Sequence, residues 1–317
     1  MKLKPLLAAS LLAAALAHAA PPQANTQVPG VYRMPLGGFQ VTALSDGTVT
    51  IPLDELLTHT TPGHVRQVLA RDFLKPKTET SINAFLVHTG SNLVLIDTGA
   101  GGLFGPTGGD LAASLKLAGY TPEDIDTVLL THIHRDHSGG LTVGGKPAFP
   151  NATIWVDQHE AAHWLDAAAR DRAAAADHGS FDEAAASLKP YLDRGRVKTF
   201  DAPAQLVPGI RAEAARGHTP GHSLFVAESR GQRMVFWGDL LHAANVQMAE
   251  PQVTIKFDLD SPAAAKQRWA WFADAARRGD LVAAAHISFP GIGRLRAAAH
   301  GYRWVPVNYG TAVQQQP

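Results

Sequence analysis

Four potential metal ligands stand within six residues, directly after an apolar stretch of the chain. The apolar stretch, Ile125–Leu130, is predicted to be a buried strand, and a strand end that opens into a loop is a usual place for a site in an α/β protein. Single histidines are usually surface or core residues, but that explanation does not suit a cluster of this density. The four residues are His132, His134, Asp136 and His137.

The local geometry of this cluster favours two adjacent cations over one. On a strand, His132, His134 and Asp136 would share a face, whereas at the start of a helix His134 and His137 would be neighbours. We therefore expect the first two histidines to face one cation and the last two residues of the cluster to face another. Imidazole and carboxylate suit Zn, Fe, Mn or Co, and the absence of cysteine from the chain excludes thiolate ligands and a cysteine nucleophile.

Three later residues stand beside predicted strands and can complete such a site. They are His218 in the loop 217–222, Asp239 after the strand 234–237, and His286 at the end of the strand 281–285. A carboxylate has two oxygens and can bridge two cations, which an imidazole cannot. Considered alone, Asp239 is an ordinary turn residue and His286 an ordinary core histidine, so both assignments depend on the cluster. His222 is expected to pack against the site, although a ligand role stays open.

Strand and helix candidates alternate along most of the chain, which predicts a layered α/β fold. We expect one catalytic domain over residues 31–317, preceded by a poorly ordered arm at residues 20–30. Four local predictions can be checked against a structure. They are a hairpin in 39–51 with its turn at Asp46-Gly47, a helix over 159–176, a strand over 206–214, and a helix over 261–278 capped by Ser261.

The amino terminus has the pattern of an export signal. A basic start and the apolar run Leu6–Leu16 precede a small-x-small cleavage pattern at 17–19, so residues 1–19 are predicted to be a signal peptide. The run is too short to span a bilayer, so we expect a periplasmic or secreted protein with no membrane partner. Basic and acidic residues balance at 28 each, which argues against nucleic acid as the partner.

These motifs, in this order, resemble those of the metallo-β-lactamase superfamily. The likeness covers about residues 30–309 and rests on His-x-His-x-Asp-His at 132–137, Gly-His-Thr-Pro-Gly-His at 217–222, Gly-Asp at 238–239 and the late His286. A closer likeness, to methyl parathion hydrolase and its relatives, rests on the segments 43–48, 97–106, 288–293 and 301–309.

The resemblance implies an αββα sandwich, with two mixed β-sheets flanked by helices. It also implies two divalent cations, with zinc expected first and Mn, Fe or Co as alternatives. One cation would be held by His132, His134 and His218, and the other by Asp136, His137 and His286, with Asp239 bridging them. The relatives are typically homodimers exported to the periplasm, and we expect the same here.

The resemblance further implies a substrate pocket with aromatic walls, suited to a small molecule that has an aromatic ring. Three aromatic residues match pocket positions of the family, with ordinary core packing as the alternative for each. They are Phe104, Trp164 and Phe181. His242, Ile255 and Phe257 follow the bridging aspartate, and there the chain looks more similar to lactone and aryl-ester hydrolases than to efficient organophosphate hydrolases.

We therefore expect a hydrolase that uses a hydroxide shared by two cations to open lactones or cleave aryl esters, with side activity on organophosphate triesters. Asp136, Asp239 and His242 are the candidate catalytic residues, and His242 would hydrogen-bond the substrate or shuttle a proton. The main alternative is a dedicated organophosphate triesterase. A metal-binding protein without turnover and an RNA-processing nuclease are further alternatives, and the neutral charge and export pattern argue against the nuclease.

Overall fold

The structure, a computed structural model, describes residues 20–311 and 313. The predicted signal peptide, residues 1–19, lies outside the described residues. Residues 20–30 contain no strand or helix, and the first strand begins at Val31. Among the described residues, no helix is both long enough and apolar enough to cross a membrane.

The first sheet has seven strands that lie side by side in chain order: β1 (Val31–Leu36), β2 (Phe39–Pro52), β3 (Lys77–His88), β4 (Leu93–Ile96), β5 (Thr127–Leu129), β6 (Thr153–Asp157) and β7 (Val197–Phe200). The pairs from β1 to β4 are antiparallel, and the pairs from β4 to β7 are parallel. Because parallel strands end at the same edge of a sheet, the residues that follow β4, β5 and β6 lie close together.

The second sheet also has seven strands in chain order: β8 (Ala204–Val207), β9 (Ile210–Ala214), β10 (Ser223–Ser229), β11 (Gln232–Phe236), β12 (Leu281–Ala283), β13 (Ile292–Ala297) and β14 (Tyr302–Pro306). Only β11 and β12 are parallel among these neighbours. Their carboxyl ends therefore face the same way, and the segments that follow them are also neighbours. Two further two-stranded pairs join Leu57–Thr58 to Thr254–Ile255 and Thr142–Val143 to Lys146–Pro147.

Nine α-helices occur in the described part of the chain: α1 (Leu53–Leu56), α2 (Pro62–Arg71), α3 (Leu111–Leu117), α4 (Arg135–Ser138), α5 (Gln158–Trp164), α6 (Ala167–Arg172), α7 (His178–Leu192), α8 (Ala244–Gln247) and α9 (Ser261–Arg278). Short 3₁₀ segments lie at Gly101–Thr107, Pro122–Asp124, Gly139–Leu141, Ala175–Asp177 and Gly238–Leu240.

Three apolar layers stack these elements into a sandwich. Between the sheets, the rings of Phe85 and Phe236 meet at 5.5 Å, within a cluster drawn from both sheets. Residues of α3, α5 and α7 cover the outer face of the first sheet. On the outer face of the second sheet, Phe272 of α9 stacks on Trp237 at 5.0 Å. Each sheet is therefore apolar on both faces, and the predicted αββα sandwich is confirmed.

A smaller apolar cluster lies beside the sandwich. It joins residues 53–71 to residues 243–258, and we call these two segments the side layer. Its buried members are Leu53, Leu57, Val65, Leu69, Ala243, Val246, Val253 and Ile255. The two segments also pair through a short antiparallel ladder, so the side layer has its own backbone connections.

The predicted hairpin turn at Asp46-Gly47 is wrong, because β2 continues through these residues. Asp46 is fully buried, and its carboxylate accepts hydrogen bonds from the backbone N–H groups of Ala100, Gly109 and Leu111 at 2.8–3.1 Å. The ladder with β3 shifts register between Ser45 and Gly47, which marks a bulge. A sequence pair typical of turns thus serves here to anchor the glycine-rich loop 99–111.

Three other local predictions need smaller corrections. The helix over 159–176 is two helices, because Asp166 accepts a hydrogen bond from the N–H of Ala168 and begins α6. The strand over 206–214 is divided by a turn in which Gly209 has a φ of 81°. Asp260, one residue before Ser261, caps α9 through the N–H of Ala263.

The buried carboxyl group of Asp46 makes a testable contribution to stability. Burial raises its pKa from 3.8 to about 6, although the backbone N–H groups at Ala100, Gly109 and Leu111 act in the opposite direction. The folded chain therefore holds this proton more tightly than the unfolded chain. This contribution is complete below about pH 4, and up to about 3 kcal/mol is lost as the pH rises through about 6.

We predict that Asp46→Asn flattens this part of the pH dependence of the unfolding free energy, measured by urea unfolding at pH 4–7. Glu123→Gln is the control, because Glu123 is an exposed carboxylate outside the loop that surrounds Asp46. Identical pH profiles for Asp46→Asn and the parent chain would contradict the assignment.

Candidate metal centre

The candidate ligands converge at one end of the sandwich because each follows or precedes a strand that ends there. His132 to His137 follow β5, Asp239 follows β11, and His286 follows β12. His218 lies in the loop that leads into β10. Ligands from both sheets therefore meet at the edge where the parallel strands end.

Two of the groups of side-chain atoms that are close enough to bind a cation contain all of the expected ligands. His132, His134, His218 and Asp239 form the first group, with ligand atoms within 4.8 Å of one another. Asp136, His137 and His286 form the second, within the same limit. In the first group, His134 Nδ1 lies 3.1 Å from His218 Nε2, so two imidazole nitrogens converge directly.

The carboxylate of Asp239 lies between the two groups and is nearly inaccessible to solvent. Its Oδ2 lies 3.1 Å from His218 Nε2 and 3.6 Å from His132 Nε2. Its Oδ1 lies 2.9 Å from His137 Nε2 and 3.0 Å from His286 Nε2. One oxygen therefore faces each group, which is the arrangement that a bridging carboxylate requires.

The residues present fit two divalent cations. Although Asp239 Oδ1 lies 2.9 Å from His137 Nε2, the two atoms do not have hydrogen-bond geometry, and both of them and His132 Nε2 are buried without a hydrogen-bond partner within the described residues. Buried polar atoms without a partner are rare, and several converging on one point are expected where a cation binds. Nitrogen and carboxylate oxygen are the donor types of zinc and of related transition metals.

The electrostatics of the centre also suit bound cations. Burial opposes ionisation of Asp239, but His137 and the neighbouring histidines hold its pKa well below the usual range, so it is a carboxylate. Burial likewise opposes a charged His137, yet Asp239 and two further aspartates raise its pKa well above the usual range. The centre thus stabilises positive charge at a position with almost no access to water.

Three of the histidines are oriented by a hydrogen bond from Nδ1, which leaves Nε2 directed at Asp239. His137 Nδ1 donates to Asp97 Oδ2 at 2.8 Å. His286 Nδ1 donates to the carbonyl oxygen of Ser81 at 2.9 Å, and His218 Nδ1 donates to Asp258 Oδ1 at 2.9 Å. These partners set which ring nitrogen carries the proton.

The chain's relationship to known proteins agrees with this geometry. A model of the metallo-β-lactamase superfamily matches residues 78–286, about two thirds of the sequence. The chain belongs to the metallo-β-lactamase superfamily. This membership supports a metal-dependent hydrolase and confirms the superfamily resemblance, whereas the closer likeness to methyl parathion hydrolase stays a prediction.

Two solved structures of superfamily members are similar over nearly the whole chain. The hydrolase AbOPH, in the β-lactamase superfamily, is 36% identical with a TM-score of 0.86, and the match covers 90% of this chain and 100% of that one. The dizinc quorum-quenching lactonase AidC, bound to its product N-hexanoyl-L-homoserine, is 26% identical with a TM-score of 0.83, over 90% of this chain and 99% of that one.

An N-acyl homoserine lactonase from Bacillus cereus is 27% identical over 123 residues. That match spans 38% of this chain and only 40% of the length of the relative. The dizinc lactonase, together with the two ligand groups described above, supports two divalent cations for this member of the superfamily.

A cavity of about 360 Å³ opens onto the centre of this metallo-β-lactamase-fold protein and reaches Asp239. Five of the six predicted pocket residues line it: Phe104, Trp164, Phe181, His242 and Phe257. The rings of Trp164 and Phe181 lie 4.8 Å apart, and Trp164 packs edge-on against His134 at 5.3 Å. One wall of the cavity is therefore aromatic and reaches the metal ligands.

The sixth predicted pocket residue, Ile255, does not line the cavity. Its side chain is fully buried and packs in the apolar cluster of the side layer, against residues such as Leu57. Phe257, two residues later, is 40% exposed and does face the cavity. Ile255 thus supports the cavity wall from behind.

His222 packs beside the centre, as expected, and both of its ring nitrogens are engaged. Nδ1 donates to the carbonyl oxygen of Ala215 at 3.1 Å, and Nε2 accepts from the N–H of Asp239 at 3.0 Å. Burial lowers the pKa of His222 to about 3, so the ring is neutral. Gly238 has a φ of 51°, and a Cβ there would lie 2.9 Å from His222 Nε2, so glycine permits this close approach.

Three buried carboxylates and one backbone carbonyl group around the centre were not recognised from sequence. Asp97 follows β4 as Asp239 follows β11, so the repeated strand-to-aspartate pattern was a usable signal. Glu160 accepts from the N–H groups of Ile133 at 3.0 Å and Gly221 at 2.9 Å, and so joins the two histidine-bearing loops. No local sequence pattern around Glu160, Asp258 or Ser81 could have revealed these contacts.

We predict that Asp239→Asn reduces bound cations from two to at most one and lowers kcat/KM by roughly 100-fold or more, because an amide is a poor bridging ligand. Elemental analysis and hydrolysis of a chromogenic ester measure the two effects. His222→Ala is the matched comparison, since His222 is buried beside the same carboxylate but has both nitrogens occupied, and it should retain two cations. If Asp239→Asn instead kept two cations and His222→Ala lost one, then His222 would be the ligand and Asp239 would not.

Proposed function

We propose that this hydrolase binds two cations through the two ligand groups, with Asp239 between them, and that it opens lactones or cleaves aryl esters. Slower hydrolysis of organophosphate triesters is a side activity in this proposal. The supporting observation is the cavity of about 360 Å³, which has aromatic walls and ends at Asp239. Such a cavity admits a ring-bearing substrate and brings its reacting carbon to the ligand cluster.

The chemistry divides between the cations and the chain. When bound, two divalent cations lower the pKa of water and polarise a carbonyl or phosphoryl oxygen. His132, His134 and His218 would hold one cation, Asp136, His137 and His286 would hold the other, and Asp239 would contact both. The chain itself excludes bulk water, since these side chains are buried apart from Asp136 and His134, which border the cavity.

His242 is the residue best placed to move a proton. Its Nε2 lies 2.9 Å from Asp239 Oδ2, and because that oxygen is anionic, Nε2 carries the proton. Its Nδ1 has no hydrogen-bond partner within the described part of the chain, and the side chain lines the cavity. Burial lowers the pKa of His242, so Nδ1 is a proton acceptor near neutral pH.

The relatives favour a lactone over a phosphate triester as the main substrate. The lactonase AidC matches nearly the whole chain, and the curated Bacillus cereus relative is also a lactonase. The aromatic wall of Phe104, Trp164 and Phe181 supports a substrate with a ring or an apolar arm. Within the same proposal we keep zinc as the native metal, a homodimer as the assembly, and export to the periplasm or medium on the pattern of residues 1–19.

The proposed function predicts a substrate order. We expect kcat/KM for an aryl lactone or an N-acyl homoserine lactone to exceed that for methyl parathion by at least about tenfold. The aromatic wall can bind either class of substrate, so in this proposal the difference comes from a centre that suits attack at a carbonyl carbon better than attack at phosphorus. The measurement uses zinc-loaded protein with a panel of these substrates. A triester rate far above the lactone rates would favour the dedicated triesterase, and two bound cations without turnover of any substrate would favour a binding protein.

We predict that His242→Leu changes the ratio of lactone to triester kcat/KM, because it removes an imidazole that bonds to Asp239 through Nε2 and offers Nδ1 as a proton acceptor. His163→Leu is the matched control, since His163 lines the same cavity but packs on Trp164 and Phe181 at 4.7 and 5.1 Å, away from Asp239. The ratio should shift about tenfold for His242→Leu. An unchanged ratio, or an equal shift in both variants, would remove His242 from this role.

A further inference from the structure

A completely buried arginine lies behind the metal centre, in the middle of α9. Arg268 Nε donates to the carbonyl oxygen of Leu240 at 2.6 Å, and Nη1 donates to those of Pro251 and Val253 at 3.0 and 2.7 Å. Leu240 directly follows Asp239, and the other two carbonyls belong to the side layer. One guanidinium therefore ties the segment after Asp239 to the side layer.

The charge of Arg268 is balanced by one buried carboxylate. Its Nη2 has no hydrogen-bond partner within the described residues and lies 3.8 Å from Asp258 Oδ2, with both side chains 0% exposed. A buried guanidinium stays charged and requires a nearby anion. Asp258 Oδ2 also accepts from the N–H of Ile255 at 3.2 Å, which closes the turn that presents Phe257 to the cavity.

The other oxygen of Asp258 contacts the metal centre. Asp258 Oδ1 accepts from His218 Nδ1 at 2.9 Å, while His218 Nε2 lies 3.1 Å from Asp239 Oδ2. The backbone supports the same connection, because the N–H of Leu259 donates to the carbonyl oxygen of His218 at 3.0 Å. Among the side chains that the structure describes, Asp258 is thus the one that bonds both to a candidate ligand and to the turn that forms the pocket wall.

We propose that Asp258 and Arg268 are positioning residues that couple the pocket wall to the metal centre. Asp258 fixes the orientation and tautomer of His218, so that Nε2 is the nitrogen offered to a cation. Arg268 fixes the backbone from Leu240 to Val253, and with Asp258 it sets where Phe257 stands. The proposal rests on the two-cation centre proposed above and concerns the cation that His218 would bind.

The first experiment measures zinc affinity, independently of activity. Metal-free full-length protein is titrated with Zn²⁺ against a competing chromophoric chelator. In Asp258→Asn, which keeps the side-chain shape, we expect one Zn²⁺ to bind with parental affinity and the other to bind about 10- to 100-fold more weakly. Asp280→Asn is the matched control, because Asp280 is about as buried as Asp258 and pairs with Arg233, but it precedes β12 whereas the ligand His286 follows that strand.

The second experiment separates the wall from the metal. Arg268→Lys keeps the charge but offers a single nitrogen in place of a planar fork. We expect this variant to retain two Zn²⁺, while its KM for an aryl lactone rises about tenfold with a smaller change in kcat, because Phe257 is displaced and the ligands are not.

The outcomes separate the possible errors. If the parent chain binds fewer than two Zn²⁺, the two-cation centre is wrong and the proposal falls with it. If the parent binds two but Asp258→Asn keeps both affinities, only the coupling is wrong. Equal weakening in Asp258→Asn and Asp280→Asn would show a general loss of stability and would also overturn the proposal, as would unchanged kinetics in Arg268→Lys.

Discussion

The two oxygens of Asp239 are the point on which the arrangement of the centre depends. A buried carboxylate is costly unless it is surrounded by positive charge or donors, and Asp239 lies among imidazoles on both sides. Oδ2 faces His218 and Oδ1 faces His137 and His286, so the single side chain divides the histidines into two groups. The two sheets must end at the same place for this to happen, because Asp239 follows the second sheet while His137 follows the first.

Around this carboxylate, the chain uses other buried acids to orient histidines. Asp97 accepts from His137 and from the backbone N–H of Thr131, and Asp258 accepts from His218. Glu160 accepts from two backbone N–H groups on separate loops. These carboxylates act indirectly. Asp97 and Asp258 orient the rings of ligand histidines, and Glu160 holds the loops that carry ligands. A centre built this way is preorganised by the protein rather than by the cation alone.

The sequence predicted those parts of the fold and site that depend on local patterns. The cluster at 132–137 follows an apolar strand, and its spacing was enough to indicate two groups of ligands. Asp239 and His286 could be assigned to the site only because of this cluster, since many residues at strand ends have no functional role. The failures were long-range: Asp46 resembled a turn residue, and its burial depends on N–H groups more than fifty residues away. Ile255 was assigned to the pocket by resemblance to relatives, while its packing depends on residues 53–71.

The origins of the ligands and of the pocket wall suggest how such a site can change substrate while keeping its chemistry. Most ligands stand at the ends of sandwich strands, whereas Phe257 and its support come from the side layer, which has a separate apolar cluster. Substitutions in that cluster can move the wall with little effect on strand ends. The two systems meet at Asp258, which bonds to His218 on one side and to the turn at Ile255 on the other. A change at Asp258 therefore alters metal binding and substrate fit together, whereas a change at Ile255 reaches only the wall.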